Sequence, residues 1–199
     1  MRLNDALSQI ADIRQQIARS QAFNGYRSLT TAVTGIFAIL AACVQKRFVV
    51  DPIHHMNRYL TIWLIVAVIS IIVVGIELAI RCWRSDQPLQ RELSFHAIEQ
   101  MMPSVVAGAL LTFVITQFAG EIARVVPGMW SILFGLAVFA SRRLLPKATF
   151  LVGGFYLLAG LVMVSLRYDA LNAWTMGATF GIGQISAAAL LYFTLERHK

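Results

Sequence analysis

The stretch YLTIWLIVAVISIIVVGIELAI, residues 59–80, decides the fold of this 199-residue chain. Its only charged residue is Glu77, close to its end, and it contains no proline. A helix needs about 20 consecutive apolar residues to cross the hydrocarbon core of a bilayer. The stretch therefore predicts a transmembrane helix.

Five more apolar stretches flank this one, and together they predict six spans. They lie near residues 28–45, 59–80, 104–120, 128–141, 148–166 and 172–195. The fourth is short, so we expect it to continue towards Leu144 and Leu145 or to borrow residues at the interface. The strand alternation of a barrel is absent, and backbone groups in lipid must be satisfied internally. The predicted fold class is an all-α bundle of six transmembrane helices over residues 28–195, with a tail at 196–199.

The composition excludes most other classes of protein. Hydrophobic residues make up 58% of the chain and charged residues 14%, against roughly 45–50% and about 25% in soluble domains. A water-soluble or disordered chain would need more polar surface than this sequence supplies. No helix face combines Lys and Arg with interleaved aromatic residues, so no nucleic-acid partner is expected.

Prolines mark two of the predicted helix boundaries. Pro103 is placed at the first position of span three, where the missing N–H costs nothing. Pro127-Gly128 is interpreted as a turn that joins spans three and four.

The charge distribution predicts how the chain lies in the membrane. Six spans place both termini on one side, and that side receives twelve of the 17 Lys and Arg residues, while the other side receives five. By the positive-inside rule both termini are cytoplasmic. The predicted location is a bacterial-type inner (plasma) membrane. Trp63, Trp130 and Trp174 then lie at the outer interface and Trp83 at the inner one, as an aromatic belt requires.

Residues 1–27 are predicted to be a cytoplasmic amphipathic helix followed by a linker. At 100° per residue the apolar side chains of residues 1–20 share one face of a helix. These side chains are Leu3, Ala6, Leu7, Ile10, Ile13 and Ile17. Because the polar face is mixed in sign, packing on the bundle or on a neighbouring subunit is favoured, and adsorption to lipid is the alternative.

Small residues recur four apart in two spans. They are Gly108, Thr112, Thr116 and Gly120 in span three, and Gly177 and Gly181 in span six. Such spacing lets helix backbones approach closely where lipid removes the usual hydrophobic drive. Helix packing is the favoured interpretation, and a pore-lining stripe is the alternative.

A second set of residues forms a hypothetical ligand or ion path. Its members are polar side chains at middle depth and ionisable ones near span ends: Gln184, Tyr156, Thr112, Gln117, Glu121 and Glu77. A buried polar group in hydrocarbon needs a partner, and ionisable groups in spans are often functional. Interhelical hydrogen bonds and helical Glu–Arg pairs explain the same residues without a ligand, the predicted pairs being Glu77 with Arg81 and Glu121 with Arg124.

The loops carry two weaker candidate sites. His96, with Glu92 and Glu99, would share a helix face and is a possible metal site; a solvated charged face is the default. Arg142, Arg143 and Lys147 are expected to attract anionic lipid headgroups at roughly 1 kcal/mol per charge. No histidine lies in a span, and no metalloprotease, serine-hydrolase or P-loop motif is present, so no cofactor is predicted.

The sequence thus favours a non-enzymatic membrane protein that acts through helix–helix assembly, as a homo-oligomer or as an accessory subunit of a larger membrane complex. The expected partners are the lipid bilayer and those protein chains. Two alternatives stay open, namely a small channel or carrier with a polar cavity at mid-membrane, and a membrane enzyme using the carboxylate and histidine groups at the cytoplasmic rim.

Overall fold

The computed structural model describes residues 28–84, 88–141 and 145–197. Within these ranges the structure has helices and no strand. The α-helices are α1 (Ser28–Phe48), α2 (Met56–Arg84), α3 (Pro88–Phe118), α4 (Val126–Ala140), α5 (Thr149–Leu166) and α6 (Ala173–Leu191). Two 3-10 helices, Gly120–Val125 and Arg167–Leu171, and a π-helix, Tyr192–Glu196, complete the described chain. The predicted amphipathic helix lies outside the described residues.

Six helical segments are long and apolar enough to cross a membrane. Their mean hydropathy runs from 1.3 for Ala173–Thr194 to 2.7 for Met56–Ile80. The prediction of an all-α chain with six such segments is therefore confirmed for the described residues.

The fourth apolar segment is extended at its N-terminal end and not, as predicted, at its C-terminal end. Helix α4 has only 15 residues and ends at Ala140. The 3-10 helix Gly120–Val125 precedes it directly, so that the apolar segment runs over Gly120–Ala140, 21 residues. The extra length thus lies before the helix and not after it towards Leu145.

Both proline predictions were wrong. Pro103 lies inside α3, which begins fifteen residues earlier at Pro88. A proline inside a transmembrane helix is tolerated because neighbouring groups re-satisfy the freed carbonyl. Pro127 and Gly128 lie in the first turn of α4, where the proline needs no N–H partner.

Each helix packs against its neighbours in the sequence, and α6 closes the arrangement by packing against α1. The closest pairs are α1 with α6 and α4 with α5. Helix α2 rests mainly on α1 and helix α3 mainly on α4, while α2 and α3 touch each other little. Only 11% of the most apolar stretch of α2, and the same share of α3, is buried inside the chain.

The apolar core lies at one end of the bundle. We call this end the Asp51 end, and its connections are residues 49–55, 119–125 and 167–172. The buried residues of the core include Tyr59, Trp63, Val126, Leu171 and Met176. All three connections at this end are short, so the helices they join stay close together. The opposite end, which holds Lys147, is called the Lys147 end.

Helix α5 ends at a residue with unusual backbone angles. Arg167 has φ 54° and ψ −115° and is the only described non-glycine residue with positive φ. That conformation breaks the helix and starts the 3-10 helix that carries Leu171 into the core. A side chain there is strained by about 1–3 kcal/mol, which the surrounding packing must hold.

Candidate functional site

The contact between α1 and α6 is built from small residues. A Cβ added at Gly181 would lie 2.8 Å from Cγ1 of Ile39, and one added at Gly177 would meet the side chain of Ala42. Gly35 on α1 contributes to the same contact, because a Cβ there would lie 3.2 Å from the carbonyl oxygen of Gly181. The two predicted packing residues of span six therefore lie inside the chain, against α1.

The contact between α4 and α5 follows the same rule with glycines on both helices. A Cβ at Gly128 would lie 2.8 Å from the carbonyl oxygen of Gly160, and one at Gly160 would lie 2.7 Å from that of Gly128. One turn further along α4, the hydroxyl of Ser131 donates to the carbonyl of Tyr156 at 2.8 Å. Sequence reasoning missed Gly128 because a Pro-Gly pair suggests a turn.

The predicted small-residue stripe of α3 is only partly in contact with another helix. Gly108 faces α4, where a Cβ would lie 3.5 Å from Leu133. Thr112 donates its hydroxyl to the carbonyl of Gly108 at 2.6 Å and accepts the indole N–H of Trp130 at 2.8 Å. Thr116 donates to carbonyls of its own helix, and Gly120 lies beyond α3 with no atom near the position of a Cβ.

The six residues of the hypothetical path divide between the surface and the interior. Gln117 and Glu121 are exposed at the Asp51 end, and Glu77 is half-buried on α2. Thr112 is buried but already bonded to Gly108 and Trp130. Tyr156 is fully buried and packs against Gly183 of α6, whereas the half-buried Gln184 lies at the contact with α1, where a Cβ on Gly35 would lie 3.1 Å from its Cβ.

Near Glu121, the side chain of Arg124 takes a different partner from the predicted one. Its guanidinium donates to the backbone carbonyl of Glu121 at 2.7 Å and lies 5.1 Å from the ring centre of Tyr168. Arg124 thus connects the 3-10 helix before α4 with the 3-10 helix after α5. Its described contacts are structural and need no ligand.

Tyr156 is the centre of an aromatic cluster between α4, α5 and α6. It is fully buried. Its ring centre lies 4.7 Å from that of Phe134 and 5.4 Å from that of Phe180. The absence of a side chain at Gly183 makes room for its hydroxyl. This hydroxyl has no hydrogen-bond partner.

A buried glutamine joins three elements at the Asp51 end. Gln45, 1% exposed, accepts the indole N–H of Trp63 at 2.8 Å and donates its amide to the carbonyl of Leu171 at 2.9 Å. These bonds connect α1 with α2 and with the 3-10 helix Arg167–Leu171. Sequence reasoning missed Gln45 because it stands at the edge of a span, where a polar residue is ordinary.

The proposed metal site is only partly described. His96 Nδ1 lies 3.2 Å from a carboxylate oxygen of Glu99, and both side chains are exposed. The side chain of Glu92 lies outside the described part of the structure. Across the residues that are described, no group of three His, Cys, Asp or Glu side chains is placed to hold a metal ion.

Of the three predicted lipid-binding cations, the structure describes Lys147. Lys147 is exposed in the connection before α5. Arg142 and Arg143 lie outside the described residues.

The loop between α1 and α2 holds a hydrogen-bonded pair of Asp51 and His54 at the Asp51 end. Asp51 accepts backbone N–H groups of Ile53 and His54 through Oδ1, and its Oδ2 lies 2.6 Å from Nδ1 of His54. The side-chain hydrogen bond with His54 lowers the pKa of Asp51 below its ordinary value of 3.8. A carboxylate that closes its own turn in this way is a structural element of the loop.

Comparisons of the chain with protein-family models, with curated proteins and with solved structures find no match.

Proposed function

We propose that the chain is a six-span integral membrane protein that acts without catalysis, by assembling with further copies of itself through the exposed face of α2. We place it in a bacterial-type inner membrane with both termini in the cytoplasm. The lysine and arginine bias supports that orientation. Lys147, together with Arg142 and Arg143, then meets anionic headgroups at the cytoplasmic interface.

The observation that carries the proposal is Gly75. It lies in the middle of α2 on an exposed face, and no atom lies within 4 Å of the position of its missing Cβ. A glycine inside a helix costs roughly 0.5–1 kcal/mol relative to alanine. At Gly35, Gly128, Gly160 and Gly181 close packing with another helix explains that cost, whereas the helical glycines Gly75 and Gly154 have no such contact within the described chain, and of these two only Gly75 is exposed.

The residues around Gly75 form a surface suited to a second helix. Ile71, Ile72 and Ile76 are each about half exposed, at 54%, 52% and 54%. Ala79 follows Gly75 by four residues and is exposed as well. A small residue four positions from a glycine, with large β-branched neighbours, is the pattern by which helices associate in lipid.

A second copy of the chain is the occupant that this face suits best. In a two-fold contact the same patch serves both subunits, so that Gly75 of each copy lies opposite its equivalent. The two backbones can then approach closely, because the same glycine leaves space on each subunit. We therefore infer a homo-oligomer in which α2 is the contact helix.

Energy transfer between labelled copies in liposomes tests the proposal. Cys43 and Cys82 are replaced by Ala, and a cysteine at Lys147→Cys carries a donor or an acceptor dye. Transfer between wild-type copies should persist on dilution with lipid, and Gly75→Ile should weaken association at least fivefold. Gly154→Ile, at another open helical glycine, is the matched control and should associate like the wild type.

Two results would contradict self-assembly through α2. One is transfer no greater than random proximity predicts for the wild type at every dilution. The other is equal association of the wild type and Gly75→Ile.

A further inference from the structure

A cavity of about 310 Å³ opens to the surface at the Asp51 end, where the connection from α1 enters α2. Six consecutive residues line it, namely Ile53, His54, His55, Met56, Asn57 and Arg58. Cavities that hold ligands in proteins begin at about 300 Å³. The volume therefore suits a small polar group and not a large ligand.

Asp51 fixes the loop that forms one wall of this cavity. Its Oδ1 accepts the backbone N–H groups of Ile53 at 3.1 Å and of His54 at 3.3 Å, and its Oδ2 lies 2.6 Å from Nδ1 of His54. Asp51 is the only acidic residue between α1 and α2, and both of its carboxylate oxygens are used within the loop. No acidic residue lines the cavity, so the charge of Arg58 is not cancelled there.

Three polar side chains of the lining have no partner in the described part of the chain. They belong to His55, Asn57 and Arg58, which are exposed and make no side-chain hydrogen bond or ion pair there. The guanidinium of Arg58 is always charged, and its planar fork of N–H groups matches the oxygens of a phosphate. The carboxamide of Asn57 adds two N–H donors. Donors beside a fixed positive charge select an anion with several oxygens.

Cations are concentrated around this connection, against the bias of the rest of the chain. In the orientation proposed above, five Lys and Arg residues lie on the outer side, and three of them, Lys46, Arg47 and Arg58, flank the connection. The positive-inside rule disfavours cations on that side. None of the three takes part in an ion pair among the described residues. This step depends on the proposed orientation, whereas the cavity does not.

The apolar members of the lining place the cavity at the surface of the membrane. Ile53 is 52% exposed, and Val50 in the same connection is 88% exposed. Met56 is the first residue both of α2 and of its apolar segment, Met56–Ile80. The cavity therefore lies at the depth where lipid headgroups meet the acyl chains. A molecule that joins a phosphate to an apolar body suits both parts of the lining.

We propose that this cavity binds the phosphate group of an anionic phospholipid. Arg58 donates to the phosphate oxygens, the carboxamide of Asn57 donates a further hydrogen bond, and Ile53 and Met56 contact the glycerol and the first acyl carbons. A soluble phosphate ester offers the same anion, so the experiment separates the two sources. The cavity lies at the opposite end of the bundle from Lys147, and it is separate from the α2 face around Gly75.

Photolabelling with phosphatidylglycerol that carries a diazirine on its headgroup tests the site. The full chain in phosphatidylcholine liposomes is irradiated at graded mole fractions of the probe, and peptide mass spectrometry locates the insertion. Insertion within residues 53–58 should saturate. Unlabelled phosphatidylglycerol should suppress it, whereas glycerol 1-phosphate at the same total concentration should not.

Three variants show which side chains hold the phosphate. Arg58→Gln should raise the half-saturating mole fraction by about fivefold or more, because it removes a charge-assisted hydrogen bond. Asn57→Ala keeps every charge and should raise it by about threefold, the effect of one neutral hydrogen bond. Arg167→Gln is the matched control, since Arg167 is an exposed cation at the same end that does not line the cavity. It should bind the probe like the wild type.

The two exposed positions should tolerate these changes, so that the melting temperatures of Arg58→Gln and Asn57→Ala should match that of the wild type. Equal half-saturation for the wild type and Arg58→Gln would overturn the site. Equal losses in Arg58→Gln and Arg167→Gln would reduce it to a general attraction by surface charge.

Two further results would overturn the assignment to a lipid. One is insertion at residues 53–58 that never saturates, which would mean that the probe only dissolves in the bilayer. The other is suppression by glycerol 1-phosphate as strong as that by phosphatidylglycerol, which would assign the cavity to a free phosphate ester. None of these results bears on self-assembly through Gly75, because the energy-transfer measurement uses no labelled lipid.

Discussion

Trp63 on α2 donates its indole N–H to the side-chain oxygen of Gln45 on α1 at 2.8 Å, in the interior of the Asp51 end. The same glutamine donates to the carbonyl of Leu171 at 2.9 Å. One amide therefore satisfies a donor and an acceptor on two other elements. Since neither partner is placed to reach water, the side chain of Gln45 holds three parts of the chain together.

Gln45→Leu should destabilise the protein by about 2 kcal/mol or more, because it leaves the indole N–H of Trp63 and the carbonyl of Leu171 unpaired. The free energy of unfolding in bicelles is the measurement. Gln117→Leu is the matched control, since Gln117 is exposed at the same end of the bundle and should change stability by less than about 0.5 kcal/mol. Equal losses in the two variants would contradict the role assigned to Gln45.

Alanine at two glycines of α5 should have opposite effects. Gly160→Ala places a Cβ 2.7 Å from the carbonyl of Gly128 and should cost about 1–3 kcal/mol through overpacking. Gly154→Ala has open space around the new methyl and should stabilise the helix by roughly 0.5–1 kcal/mol. Thermal unfolding of both variants in one detergent checks the signs. Destabilisation by both would show that α5 packs differently.

The hydrogen bond from Trp130 to Thr112 should appear as a coupling energy between the two residues. In a double-mutant cycle of Trp130→Phe and Thr112→Val the coupling should be about 0.6 kcal/mol, the average for interhelical hydrogen bonds in membrane proteins. Thr116→Val replaces Thr112→Val in the control cycle, since Thr116 bonds only within its own helix. Coupling that is equal in the two cycles would exclude the specific bond.

The loop before α2 should lose part of its order in acid. The hydrogen bond with His54 lowers the pKa of Asp51, so its stabilising contribution is complete above pH 3.8 and disappears as the pH falls through the lower pKa of the folded state. Carbon NMR of the carboxyl group should show titration below 3.8. His54→Ala should move the pKa upwards, and an unchanged pKa in that variant would remove His54 as the cause.

Hydropathy alone was enough to predict six apolar helices, because a stretch as long and as apolar as residues 59–80 is stable only as a helix within a bilayer. Partner choice was not predictable to the same degree. The spacing of Gly177 and Gly181 identifies a packing face, but nothing in that spacing says that α1, at the other end of the described chain, is the helix opposite. That assignment depends on how the connections bring the helices together.

The candidate site was partly predictable for a similar reason. Sequence reasoning selected Tyr156 and Gln184 by depth, and the structure places Tyr156 against Gly183 and Gln184 at the contact with α1. Sequence reasoning also grouped these two residues with Gln117 and Glu121, which are exposed. Depth along a span does not show the direction in which a side chain points. Sequence reasoning missed Gln45 because its structural role depends on hydrogen bonds with Trp63 and Leu171, which are distant in the sequence.

Cysteine labelling from one side of the membrane tests the central claim that the chain crosses a bilayer six times. In a background without Cys43 and Cys82, single cysteines replace His54, Glu121, Asp169 and Lys147 in intact spheroplasts. A membrane-impermeant maleimide should label the first three positions at once and the position of Lys147 only after permeabilisation. Labelling of all four before permeabilisation, or a split among His54, Glu121 and Asp169, would contradict six spans.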